Sequence, residues 1–143
     1  MRRPLTLAAV ALAVTSAGAV LVSCGTDNDA RPIATSATGI EAREVTAGDV
    51  AIEVVPLRLD ASGALFAITL DSHSVDLTAD LQQSTLEIAN VPWLSVAWTG
   101  DGPGGHHREG ELRFAPAGEP AGTVRLSLGG FDEPVEIAWE LEG

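Results

Sequence analysis

The sequence predicts an all-β fold for residues 49–143, an Ig-like antiparallel β-sandwich of about seven strands. Apolar residues in this region recur with a period near two, which places alternate side chains on one face of a strand. The apolar segments are short, and glycine, proline and asparagine separate them. No segment shows the 3.6-residue period of an amphipathic helix.

Each strand follows from this alternation. Turn residues fall at 61–63, 90–92 and 129–130, and the segment that starts at Asp80 is suited to one helical turn. The chain has a single cysteine and so lacks the Cys…Trp…Cys signature of antibody domains, which leaves strand number and spacing to support the prediction. The predicted strands lie at residues 50–55, 65–70, 86–88, 94–98, 112–114, 124–128 and 135–139.

The N-terminus has the parts of a secretory signal. Arg2 and Arg3 precede an uncharged apolar stretch at 5–22, and the stretch ends in Leu-Val-Ser-Cys24. This ending resembles the lipobox of bacterial lipoproteins, and the resemblance implies cleavage after residue 23 and a lipid on Cys24. The alternative is an uncleaved anchor, but Pro4 and Gly18 weaken a spanning helix that would already be short.

Residues 24–48 are predicted to form a lipidated, flexible tether, because they are small and polar and show no apolar periodicity.

The formal net charge of the chain is −12, and removal of Arg2 and Arg3 with residues 1–23 makes it −14. There is no lysine. Such a charge repels nucleic acid, so we expect no nucleic-acid partner and a membrane association through the lipid alone.

Two polar segments hold all three histidines of the chain. Residues 71–76 follow the second predicted strand, and residues 100–110 separate the fourth strand from the fifth. Because each antiparallel strand reverses the chain, these loops emerge at the same end of a sandwich, provided that Asn90-Val91-Pro92 turns the chain. We therefore expect the two loops to be neighbours.

One interpretation of these loops is a copper or zinc site. His73, His106 and His107 would supply imidazole nitrogens, and Asp71 or Asp76 would supply a carboxylate. Adjacent residues of a strand face opposite ways, so the two neighbouring histidines ligate one ion only where the backbone is irregular.

The other interpretations are structural loops or a partner-binding loop. In the structural one, His73 bonds backbone groups in its own turn, the glycines allow a tight loop, and Arg108 forms an ion pair with Asp76, or with Asp71 or Asp101. The ion pair would join the two loops. No resident cofactor is then required.

Catalysis is not expected. Ser72, His73 and Asp76 include the residue types of a hydrolase triad, but neighbours in one turn cannot align a nucleophile, a base and an orienting carboxylate. Phosphate-binding and dinucleotide-binding motifs are missing from the sequence.

The segments His-Ser-Val-Asp-Leu at 73–77 and Gly-Gly-His-His-Arg at 104–108 carry a second resemblance. Together with the glycine-rich surroundings of the latter, they are similar to a pattern in uncharacterised exported bacterial proteins. The similarity implies a shared architecture and favours interpreting the two loops as one unit.

The expected function is a non-enzymatic, lipid-anchored module on the extracytoplasmic face of the cell membrane, with an envelope protein as partner or with copper or zinc as ligand.

Overall fold

Two antiparallel β-sheets make up the computed structural model, which describes residues 39–142. One 3₁₀ turn spans Leu81–Gln83, and its N-cap is Asp80, where the sequence predicts one helical turn. The nine strands are β1 (Arg43–Ala47), β2 (Val50–Asp60), β3 (Gly63–Ser72), β4 (Thr85–Ile88), β5 (Val91–Trp93), β6 (Ser95–Gly100), β7 (His107–Phe114), β8 (Gly122–Leu128) and β9 (Val135–Leu141).

The strand order is that of an Ig-like sandwich, which confirms the predicted fold class. One sheet has the order β1-β2-β3-β7-β6 and the other the order β5-β4-β8-β9. Strands β2-β3-β7-β6 correspond to A-B-E-D of an Ig domain, and β4-β8-β9 correspond to C-F-G. Strand β5 extends the second sheet beside β4, and β1 extends the first sheet beside β2.

The core lies between the sheets and takes alternate residues from their strands. The burial of β3 alternates along its length because every second side chain faces the other sheet. Phe66 packs edge-on against Phe114 at 6.1 Å between ring centroids and stacks on Trp139 at 5.7 Å. All three residues are at most 3 % exposed, and these contacts join both sheets.

The domain begins earlier than the sequence predicts. The sequence predicts that residues 43–47 belong to the tether at 24–48, but they form β1 and pair with β2 from Arg43 opposite Val54 to Ala47 opposite Val50. Val45 is the only large apolar side chain in β1, so the strand shows almost no alternation in the sequence. Its pairing with β2 determines its structure.

The turn predicted at residues 90–92 lies slightly earlier in the structure. The turn lies at Ala89 and Asn90, which both have positive φ, as in the tight turn of a two-residue hairpin. Val91–Trp93 then forms β5 and pairs with β4. Pro92 is tolerated because β5 is an edge strand whose outer side needs no hydrogen-bond donor.

Candidate functional site at the loop end

Four connections gather at one end of the sandwich, which we call the loop end. They are residues 48–49, 73–84, 101–106 and 129–134. Pairing of Val50 with Ser72, and of Leu128 with Val135, places the ends of the flanking strands there. The histidine-bearing segments both belong to this end.

The two histidine loops are joined by backbone hydrogen bonds, so the predicted neighbourhood is confirmed. Ser72 N donates to the carbonyl oxygen of His106 at 2.9 Å, and Leu77 N donates to that of Gly105 at 2.9 Å. Gly104 N donates back to the Leu77 carbonyl oxygen at 2.9 Å. Gly104 and Gly105 have φ of 115° and 72°, which a side chain would disfavour, so glycine allows the chain to turn onto Leu77.

Arg108 lies inside this junction. The residue is 2 % exposed. Its Nη1 donates to the carbonyl oxygens of Leu77 at 3.0 Å and Ala79 at 2.8 Å, and its Nη2 donates to that of Asp101 at 3.3 Å. Nε has no partner. The guanidinium thus donates hydrogen bonds to carbonyl oxygens of two connections, which have no neighbouring strand to pair with.

The predicted ion pair between Arg108 and Asp76 is wrong. Within the described part of the chain, no ion pair joins these residues, and Asp76 is exposed. Arg108 faces the core because its strand neighbour His107 faces outward, and at that depth the nearest acceptors are main-chain oxygens. The two loops are therefore joined by Arg108 as expected, but through backbone carbonyls.

Trp98 covers the guanidinium. The centre of the guanidinium lies 5.9 Å from the centroid of the indole, within the range of a cation–π contact. Trp98 Nε1 donates to the Asp101 carbonyl oxygen at 3.0 Å. A Cβ atom at Gly110 would lie 2.7 Å from the indole, so glycine is required beneath the ring. Trp98, Arg108 and Gly110 thus form one packed unit.

His107 and Asp71 form an exposed pair on the outer face of the first sheet. His107 stands opposite Asp71 in the pairing of β3 with β7. Its Nδ1 lies 2.6 Å from Oδ1 of Asp71 and its Nε2 lies 3.7 Å from Oε2 of Glu109. The hydrogen bond with Asp71, followed by the charges of Asp71 and Glu109, raises the pKa of His107 above its usual 6.5, while desolvation opposes the shift.

His107 and Asp71 are in contact, but the five predicted metal ligands do not gather at one point. His106 Nδ1 donates to the Val75 carbonyl oxygen at 3.1 Å, whereas His107 lies on the outer sheet face and His73 is exposed. No group of three His, Cys, Asp or Glu side chains within residues 39–142 is arranged to hold a metal ion. Copper or zinc binding at these residues stays a prediction.

Ser72 has a structural role in this region. Ser72 is 5 % exposed, and its Oγ accepts hydrogen bonds from Ser74 N at 3.3 Å and Val75 N at 3.1 Å. It therefore closes a turn of its own loop. His107 and Asp71 share the geometry of a base and its orienting carboxylate, but Ser72 faces the opposite side of the sheet.

A cleft of about 710 Å³ opens at the loop end, between the β1–β2 turn, residues 75–79 and residues 130–135. The buried side chains of Val50, Leu70 and Leu77 lie beneath its apolar floor, and Val75, which is 38 % exposed, contributes accessible apolar surface. Phe131 forms part of the wall and packs partly against the core. This volume lies within the range of small-ligand pockets.

The rim of the cleft is acidic, and we call the whole feature the acidic cleft. No arginine, lysine or histidine is among its described lining residues. Four acidic residues from three separate connections line the cleft, and all four are exposed. They are Asp49, Asp76, Asp132 and Glu133.

The acidic cleft was not predicted from the sequence. Asp76 was singled out as a metal ligand, but its partners at the rim come from connections far away in the chain. Spacing along the sequence carries no signal for such a site, because sheet pairing brings the connections together. The clustering of acidic residues in turn segments, as in Phe131-Asp132-Glu133-Pro134, is the only local hint.

The residues predicted to anchor the protein lie outside the described part of the chain. They are the signal peptide at 1–23, Cys24 and the tether up to residue 38.

Residues 39–142 contain no helix long and apolar enough to cross a membrane. No protein-family model, curated protein or solved structure matches the chain.

Replacement of Arg108 tests its structural role. We expect Arg108→Met to lower the free energy of unfolding by about 2–4 kcal/mol, because the Ala79 carbonyl oxygen would remain buried without a donor and the Leu77 carbonyl oxygen would keep only the Gly104 amide. Urea denaturation measures the change. Arg113→Met on the exposed face of the same strand is the matched control and should change stability by less than about 0.5 kcal/mol. Equal effects of the two substitutions would contradict the assignment.

The titration of His107 tests its pair with Asp71. Its raised pKa makes the protonated pair a contribution to stability that is fully present below pH 6.5 and is lost as the pH rises through the folded-state value. We expect an NMR titration of the imidazole to have its midpoint above 6.5 and Asp71→Asn to lower that midpoint. Asp76→Asn, which removes a carboxylate that does not bond His107, should leave it unchanged. An Asp71→Asn protein with an unshifted midpoint would refute the pairing.

Proposed function

We propose that this protein is a lipid-anchored binding module on the extracytoplasmic face of the cell membrane, and that its loop end binds a small organic cation with an apolar body. The observation that carries the proposal is the acidic cleft, which combines an apolar floor with a rim of four carboxylates. Loops at one end of an Ig-like sandwich are a common place for binding sites, since a rigid pair of sheets holds them in position.

The chemistry of the acidic cleft favours a cation. Val75, which is 38 % exposed, and the partly buried Phe131 and Val135 offer apolar surface to a hydrocarbon group. Burial of about 100 Å² of such surface contributes on the order of 2.5 kcal/mol. A positively charged head group would then lie among the rim carboxylates, whereas an anionic head group would be repelled. The net charge of −12 extends the same preference over the whole chain.

The direction of β1 supports binding at this end. Strand β1 runs towards the loop end, since Ala47 pairs with Val50 beside the β1–β2 turn. The described chain therefore enters the domain from the far side of the loops. A tether that reaches the domain there leaves the acidic cleft open to ligands.

Anchoring rests on the motif Leu-Val-Ser-Cys24 and on the uncharged stretch before it. We expect cells that are fed an alkyne fatty acid to label the wild-type protein, and Cys24→Ala to abolish the labelling because the thiol is the attachment point. Ser23→Ala keeps a small residue before the cysteine and should remain labelled. Undiminished labelling of Cys24→Ala would contradict the proposed anchor.

Binding is tested with three eight-carbon probes of different charge. We expect octylammonium to bind saturably by calorimetry to protein that begins at residue 25 and is free of detergent, and octanoate not to bind. The affinity for octylammonium should fall as salt is added, because the rim carboxylates are exposed and screened. Octan-1-ol should bind more weakly than octylammonium, since it has the same chain without the charge.

Substitutions at the rim locate the site. Asp76→Asn combined with Asp132→Asn should weaken octylammonium binding by about tenfold, which corresponds to roughly 0.7 kcal/mol for each lost charge. Glu87→Gln combined with Glu136→Gln removes the same charge from residues outside the acidic cleft and should have a much smaller effect. Similar losses in both double variants would show that the affinity reflects net charge and would defeat the proposed site.

A further inference from the structure

Strand β1 is held to the sandwich by little apolar burial. It is an edge strand, and in the described chain β2 is its one strand neighbour. None of its five residues is buried, and Val45 packs only partly against the core. Strand β3, by contrast, buries alternate residues along its whole length. Elements with few buried apolar contacts open at a lower free energy than the rest of a domain, so β1 is suited to local opening.

The pairing of β1 with β2 includes two like charges. Glu44 stands directly opposite Glu53, and such a pair projects from one face and weakens strand pairing. The chain is fixed on both sides of this pair, because Trp139 Nε1 donates to the Glu41 carbonyl oxygen before it and β2 follows it. We call residues 42–49 the strap, since they run between these two fixed points.

The strap supplies one wall of the acidic cleft. Its contribution is the end of β1 and the β1–β2 turn, residues 46–49. The two other walls are joined to each other, since Gly129 N donates to Ser84 Oγ at 3.1 Å and a Cβ atom at Gly129 would lie 2.7 Å from the main chain of Gln83. The strap wall depends instead on the pairing of β1 with β2. The acidic cleft is therefore complete only while the strap is docked.

We infer that the strap opens and closes while the rest of the sandwich stays folded, and that a ligand in the acidic cleft holds it closed. A ligand that touches the strap and the other walls binds the closed form more tightly, and by linkage the closed strap raises the affinity for the ligand. This coupling rests on the proposed binding of an organic cation, whereas the opening is a property of the ligand-free chain. Occupancy of the cleft thereby changes the stability of the strand that continues the predicted tether.

Hydrogen exchange in ligand-free protein that begins at residue 25 tests the opening. We expect the amides of β1 to be protected about a hundredfold less than those of β3, because β1 opens locally. Glu44→Gln removes the repulsion from Glu53 and should slow exchange in β1 by about threefold. Glu136→Gln, which stands opposite Ser127 on another edge strand, should leave it unchanged. Equal protection of β1 and β3 would overturn the inference, because both strands would then exchange through global unfolding.

Octylammonium tests the coupling. At about ten times its dissociation constant, it should slow exchange in β1 by about tenfold, since it binds only the closed form. Exchange in β5, which lies outside the acidic cleft, should not change. Binding by calorimetry without slower exchange in β1 would overturn the coupling. Absence of binding would refute the proposed ligand and the coupling with it, while the ligand-free exchange would still decide whether the strap opens.

A variant that releases the strap separates its role from that of charge. Val45→Asp puts a carboxylate on the core side of β1, outside the cleft lining, and adds a negative charge that by itself attracts a cation. We expect its affinity for octylammonium to fall about fivefold, as the closed fraction falls to about one fifth. Ala138→Asp adds the same charge at an exposed position of β9 and should not weaken binding. Unchanged affinity in Val45→Asp, with β1 exchanging faster and β3 still protected, would overturn the coupling.

Discussion

The guanidinium of Arg108 lies between the sheets and donates to carbonyl oxygens of residues 77, 79 and 101, which belong to two different connections. Residues 73–84 have only one short 3₁₀ turn, so most of their backbone groups need partners from elsewhere in the chain. Arg108 and the backbone of Gly104 and Gly105 bond the main-chain groups of Leu77 and the Ala79 carbonyl oxygen. Leu77 is thereby fixed in the core, where it also forms the floor of the acidic cleft. One buried cation thus defines the shape of the proposed site.

The acidic cleft and the edge at β6 are two surfaces that differ in their charge. Carboxylates converge at the rim of the acidic cleft, while the edge at β6 is uncharged. A strongly acidic surface maintains solubility and discourages contact with other acidic molecules. The two surfaces differ because the acidic cleft would attract a cation, whereas the edge at β6 carries no charge.

The fold class could be predicted from the sequence because alternation along a strand is local information. Strand β3 shows this most clearly, since its buried positions follow the period of two. Strand β1 was missed because its place depends on pairing with β2, and β5 was missed because Pro92 resembles a turn. At the site, neighbouring loops followed from strand parity. Strand parity does not predict the carbonyl partners of Arg108 or the rim of the acidic cleft. Both depend on how far the loops fold over the ends of the sheets.

Trp139 connects the two extremes of the described chain. Its Nε1 donates to the Glu41 carbonyl oxygen at 2.8 Å across 98 positions of sequence, and its ring stacks on Phe66. Contacts between distant residues form late, since the entropy of closing the chain must be overcome first. The core therefore closes only when the last strand is present. A chain that crosses the membrane before it folds, as the secretory signal predicted at residues 1–23 implies, would complete its sandwich only after β9 has reached the far side.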